Sequence, residues 1–235
     1  MSEPTPHHPL LLAEDVLLLL LDDHTGTLQQ PNLSALLGGA VLAELAIDGA
    51  VDVGEKEGLW RTAKVHPVAG VRPQEPLLAS AQDVVAERPR TAQDLVNRLG
   101  KPLRDHLCER LAARGILRRE EHRVIGLFPT TRWPAADSRH EEGVRRRLAD
   151  VLLRGLTPDP RTVTLVALLS AVDRAHKVVD REGLSSWEVR KRAKRLADTM
   201  DEGDWAAKAV RDAVRAAAAA VTAGAVAAGT AAGSS

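Results

Sequence analysis

The sequence predicts a mainly α-helical protein, a single globular domain of about eight helices carrying one or two projecting β-hairpins. Three observations predict it. Aromatic residues make up only 2% of the 235-residue chain, with no Tyr and one Phe, so the core must be built from Leu, Val and Ala, which suit helix packing better than a β-sandwich. Apolar residues recur at helical spacing, as in Leu165, Leu168, Leu169 and Val172. Capping residues and glycine stops bracket several of these stretches.

Taken in order, residues 1–9 are rich in Pro and His and read as a flexible N-terminus. The folded domain is expected over 10–222. A helix from Leu10 to about Leu21 ends at the turn Asp22-Asp23-His24-Thr25-Gly26. Pro31 opens a second helix, stopped near Asp48 by Gly49. Ala50–Val53, a turn over 54–58 and Leu59–His66 read as a hairpin. Thr91 caps another helix, with Asp94 in the position of a capping box. Pro102 restarts a helix that Gly115 closes. A second hairpin is expected with Ile116–Arg119 and Arg123–Phe128 as strands and Glu120–His122 as its turn. The pattern Leu45-Ala46-x-x-Gly49-Ala50-Val51 repeats as Leu111-Ala112-x-x-Gly115-Ile116-Leu117, which suggests two helix–glycine–hairpin units. From Glu141 onward the chain reads as helices over Glu141–Leu153, Thr162–Val179, Ser185 to about Met200, and Asp204–Val221. Residues 223–235 read as a disordered Ala/Gly tail.

Net charge is zero, but its distribution is uneven. Residues 1–59 hold ten acidic groups and one basic group, whereas 97–150 hold thirteen Lys/Arg and eight Asp/Glu. One face is therefore suited to anions. The single Cys108 excludes a disulfide framework within the chain and lies in an apolar-periodic helix, as a small core residue does. Leu10–Leu21 is too short and too acidic to span a bilayer, and acidic flanks argue against a signal peptide. No Gly-rich phosphate loop or nucleophile elbow is present, and no paired carboxylates in an apolar setting are visible, so no enzyme and no cofactor is expected. His7 and His8 alone make a poor metal site.

Two basic groupings remain. Lys101 and Arg104 lie three apart at a helix start, with Arg98 just before them. That spacing puts both on one face, where the helix amino end adds partial positive charge suited to a phosphate. The alternative is surface charge paired with Asp94 or Asp105. In the second hairpin, Val124, Ile125, Leu127, Phe128 and Trp133 lie among Arg118, Arg119, Arg123 and Arg132. Apolar groups rimmed by arginines suit a membrane or protein interface, or else a hairpin folded onto the core.

The runs Leu10–Leu19, Asp23-x-x-Gly26 and Leu42-Ala43-Glu44-Leu45-Ala46-x-x-Gly49 resemble the opening of the Golgi phosphoprotein 3 family. Arg110-Leu111-Ala112-x-x-Gly115-Ile116-Leu117, Leu127-Phe128 and Thr130-Thr131 resemble its middle, and Thr164–Val179 its apolar C-terminal helix. The Ala- and Arg-rich composition looks most like a bacterial member. The resemblance implies an all-α fold, phosphatidylinositol 4-phosphate binding and peripheral attachment to the cytoplasmic face of a membrane. It also implies self-association through the 116–133 hairpin. By the same resemblance the headgroup site falls on Lys101 and Arg104, while Gly38 replaces a helix arginine and Gln29 falls near a loop tryptophan. Weakened headgroup specificity is the implied result. Two other readings stand beside this one. The helix–hairpin units match a winged-helix nucleic-acid binder, although the acidic first unit opposes phosphate contact. A protein-interaction scaffold would use the hairpin and not the cations.

Overall fold

The computed structural model describes residues 9–22, 25–28, 30–54, 63–123, 129–202 and 208–231. Their elements follow the chain as α1 (Leu12–Leu20), α2 (Leu33–Ile47), β1 (Val51–Val53), β2 (Val65–Pro67), α3 (Pro76–Ala86), α4 (Ala92–Gly100) and α5 (Leu103–Ala113). After these come β3 (Glu120–Arg123), β4 (Pro129–Arg132), α6 (Arg139–Leu152), α7 (Pro160–Ala171), α8 (Ser186–Glu202) and α9 (Lys208–Ala231). The mainly α architecture expected from composition is the one observed, with nine helices and two antiparallel strand pairs among the described residues.

The core is organised around α2. Its residues Ala35–Ala46 are all buried, including both glycines, and a helix that is apolar all round belongs at the centre of a bundle. It packs against α1, α4, α7 and α9. Leu36, Leu37, Leu42 and Leu45 are almost wholly excluded from solvent, and each contributes about 2 kcal/mol of hydrophobic stabilisation.

The repeated glycine stop works the same way twice. Gly49 and Gly115 take φ of +66° and +72°. The next amides, of Ala50 and Ile116, donate to the carbonyls of Leu45 and Leu111 at 2.8 and 3.0 Å. This is the Schellman closure, and it needs a left-handed residue that glycine supplies without steric cost. The Ser185 capping box is complete, with Glu188 N donating to Ser185 Oγ and Ser185 N to Glu188 Oε2.

The structure corrects several expected boundaries. In the second hairpin Glu120–Arg123 is a strand and not the turn. It pairs with Pro129–Arg132, Glu120 opposite Arg132 and Arg123 opposite Pro129. The charged residues favoured a turn locally, but an exposed two-stranded ribbon tolerates them. The expected helix Thr162–Val179 starts at Pro160 and ends at Ala171. Asp173 takes φ +53° and the amide of Arg174 donates to Leu169 O at 2.8 Å, a Schellman closure with aspartate in glycine's place. Apolar periodicity continues past the break because Ala175, Val178 and Val179 are still buried. Helix α9 runs to Ala231, beyond the expected end near Val221. The segment before α4 carries α3, whose cap is the Glu75 side chain, accepting from Leu78 N at 3.0 Å.

A further correction concerns buried charge. Glu14, Asp15 and Glu44 lie inside, at 0, 3 and 6% exposure. At the amino end of α1, Leu11 N donates to Glu14 and Leu12 N to Glu44, both at 2.8 Å. Arg110 of α5 bridges Glu14 at 3.1 Å and Glu75 at 2.6 Å. Arg161 of α7 bridges Glu44 and Asp15, and also donates to Leu10 O at 2.7 Å. His140 of α6 meets Asp15 at 2.7 Å. Paired carboxylates in an apolar setting are thus present, contrary to the reading of the sequence. Glu44 is distant in sequence from the adjacent Glu14 and Asp15, and only the fold brings it to them.

Burial pushes the Glu44 carboxyl up from 4.5 to about 7, against the pull of Arg161. A carboxyl whose folded-state value is raised binds protons more tightly when folded. Its contribution to stability is therefore complete below about pH 4.5 and is lost as pH rises through 7, a change of order ~3 kcal/mol. Urea unfolding should give a smaller drop in stability between pH 5 and pH 8 for Glu44→Gln than for the native chain. Parallel profiles would remove Glu44 as a source of the pH dependence.

Candidate functional site: a basic cleft at two helix amino ends

An open cleft of about 670 Å³ lies where α2, α4 and α5 meet, lined by Gln30, Asn32, Ser34, Asn97, Lys101 and Arg104 among others. Two helices begin in it. The N-cap of α2 is Asn32, held at φ +62°, whose side chain does not cap the helix. Its Nδ2 instead donates to Val221 O of α9 at 2.7 Å. The N-cap of α5 is Pro102, which has no side-chain acceptor to offer. Neither end carries a side-chain cap, and each brings the partial positive charge of a helix amino terminus near the cleft.

Lys101 and Arg104 complete the arrangement. Lys101 is exposed and, among the described residues, has no carboxylate within ion-pair distance. It sits at the carboxyl end of α4, where its charge offsets the negative end of that helix dipole. Arg104 is half exposed, and its Nε is 3.9 Å from Asp105, a loose contact in solvent. The described lining contains no carboxylate. Such a site can receive a phosphate through charge, amide donors and the forked guanidinium.

The other residues singled out in the sequence are placed differently. Arg98 lies outside the cleft lining and pairs with Asp94 at 3.2 Å. Gly38 does not line the cleft. It is buried against α4, where an added Cβ would lie 2.1 Å from Val96 O and 2.8 Å from Gly100 N. Gly100 answers it, since a Cβ there would lie 1.8 Å from Ser34 O. Gln29 lies outside the described residues. Gln30, Asn32, Ser34 and Asn97 were not singled out, because ordinary polar residues near a helix start carry no distinguishing pattern.

In the second hairpin, Arg118 pairs with Glu120 at 3.4 Å and Arg119 with Glu121 at 3.7 Å, all exposed. Trp133 is buried at 4% exposure, so it is a core residue and not part of an exposed interface. Its amide donates to Gly26 O at 3.1 Å, and the Arg119 guanidinium lies 6.0 Å from its ring centre. Arg123 closes β3 opposite Pro129, and Arg132 lies opposite Glu120. Val124, Ile125, Leu127 and Phe128 lie outside the described residues. Cys108 is buried, and burial pushes its thiol up to about 12, which suits packing and not nucleophilic chemistry. Among the described residues no cluster of ligating side chains could hold a metal ion, and no helix is long and apolar enough to cross a membrane.

Fold and cleft together define a mainly helical protein built around one central apolar helix, with an open cleft that carries two cations. The chain belongs to the Golgi phosphoprotein 3 (GPP34) family, whose model matches residues 12–217. It is also similar to vacuolar protein sorting-associated protein 74 of Eremothecium gossypii, at 29% identity over 185 residues. That match covers 70% of this chain and 54% of the relative, so the chain spans about half the length of that curated protein.

The contact at Gly38 gives a test of the cleft's architecture. Gly38→Ala should destabilise the protein by about 1–3 kcal/mol through overpacking. Gly143→Ala in α6, where the nearest side-chain atoms are 3.9 Å from an added Cβ, should be neutral or stabilise by up to ~1 kcal/mol. Urea midpoints of the two variants measure the difference. A neutral Gly38→Ala would mean that α2 and α4 are not in glycine-limited contact.

Proposed function

We infer that this protein binds phosphate-bearing headgroups of anionic lipids at a membrane surface, phosphatidylinositol 4-phosphate by family resemblance. It acts by binding and not by catalysis. The observation that carries the reading is the pair Lys101 and Arg104, exposed in an open cleft whose described lining holds no carboxylate, beside two helix amino ends without side-chain caps. The cleft falls within the ~300–1,000 Å³ range of small-ligand sites. Membership of the Golgi phosphoprotein 3 family supports the choice of lipid over free phosphate.

Specificity follows from what the cleft lacks. Gly38 brings no cation, and the α2–α4 contact leaves no room for one. Two cations and backbone amides recognise a phosphomonoester mainly by charge, so discrimination among anionic headgroups should be modest. Each basic residue near an anionic surface contributes about 1 kcal/mol.

Vesicle flotation checks this. The native chain should partition to phosphatidylcholine vesicles carrying phosphatidylinositol 4-phosphate and not to phosphatidylcholine alone. Lys101→Ala with Arg104→Ala should weaken partitioning at least about tenfold without lowering thermal stability. Equal partitioning with neutral and anionic vesicles would overturn the reading. A salt-dependent shift of random duplex DNA, without vesicle binding, would favour the winged-helix reading instead.

A further inference from the structure

A second, smaller cavity of about 250 Å³ is lined by Asp22, Thr27, Gln30, Arg174 and Lys177, together with the end of α1. Gln30 lines both this cavity and the basic cleft. The two are therefore neighbours separated by one side chain. That side chain is itself anchored here, since Arg174 Nε donates to Gln30 Oε1 at 3.0 Å.

The backbone that delivers the two cations is unusual. Helix α7 stops because Asp173 adopts a left-handed conformation, φ +53°, where glycine would be the ordinary choice. Asp173 is held there by Arg190, which grips its two carboxylate oxygens at 2.7 and 2.8 Å. The turn that follows is closed by Lys177 N donating to Arg174 O at 2.8 Å. Had α7 continued, Arg174 would lie on its helical path and not in this turn. Among the described lining residues the acidic one is Asp22, whose Oδ1 accepts from Thr25 N at 2.7 Å and Thr25 Oγ1 at 2.8 Å. Lys177 is exposed and, among the described residues, has no carboxylate within ion-pair distance.

We propose that the Arg174–Lys177 cavity is a second subsite for a phosphate group, carried by a lipid lying beside the one in the Lys101–Arg104 cleft. The inference rests on the lipid-headgroup reading of that cleft. Gln30 joins the subsites, so both phosphates would approach from one side and the protein would meet the membrane through two headgroups. Two-point attachment raises avidity without a new contact at either point. It also fixes the protein's orientation on the surface, which a single headgroup cannot do.

The test compares Lys177→Ala and Lys177→Glu with the Lys101→Ala, Arg104→Ala double variant, in the full chain. Lys177 is exposed, so these changes should leave folding intact, and thermal unfolding checks that they do. Two probes are used. One is soluble inositol 1,4-bisphosphate, which fills one subsite. The other is phosphatidylcholine vesicles carrying phosphatidylinositol 4-phosphate and phosphatidylserine, which can fill both. Lys177→Ala should weaken vesicle binding about fivefold and Lys177→Glu further, with affinity for the soluble bisphosphate within twofold of native. Vesicle binding unchanged by Lys177 but lost with the double variant would overturn the second subsite and leave the first standing. Equal losses with both probes would also overturn it, by making Lys177 part of a single site. Vesicle binding unaffected by every variant would overturn both readings together.

Discussion

Arg110 and Arg161 each reach into an apolar interior to meet carboxylates at the amino end of α1, and the placement of the surrounding helices depends on those meetings. Glu14 and Asp15 interrupt an otherwise leucine-rich helix, and burying them alone would be prohibitive. Arg110 ties α1 to the start of α3, while Arg161 ties it to α2. Removing either arginine would strand buried negative charge, which typically costs 3–5 kcal/mol. The network has more carboxylates than guanidinium groups. Part of that excess is relieved by the proton held on Glu44 near neutral pH.

That network also explains why the cleft can exist at all. Because α1, α5 and α7 are fixed to one another internally, Lys101 and Arg104 at the start of α5 are not needed for cohesion. They remain directed at solvent, close to amides that no side chain caps. The division of labour is by depth: arginines on the inner faces of α5 and α7 hold the bundle together, and cations at helix ends face outward.

Much of the fold was legible in the chain because local signals and tertiary packing agreed. The glycine stops at Gly49 and Gly115, the caps at Thr91 and Ser185, and the apolar character of α2 all read directly. The break after Ala171 was hidden because Asp173 does the work of a glycine while the apolar period runs on. The strand Glu120–Arg123 was hidden because charge favours turns locally. For the candidate site, the spacing of Lys101 and Arg104 was visible, but their setting was not. Gln30, Asn32 and Asn97 join them only through long-range packing. The buried carboxylates failed to show for the same reason, since Glu14, Glu44 and Glu75 are far apart in sequence.

The contact between Gly38 and Gly100 carries a historical consequence. Once two helices have closed to the distance that only paired glycines permit, neither position can take a side chain alone, because the opposing backbone occupies its place. A lineage in this state has an ordered set of accessible changes. The helices must first separate, through substitutions elsewhere along α4, before position 38 could carry a cation. The charge available at position 38 is thereby tied to the packing of α2 on α4, and drift at the surface cannot by itself open what the interior has closed off.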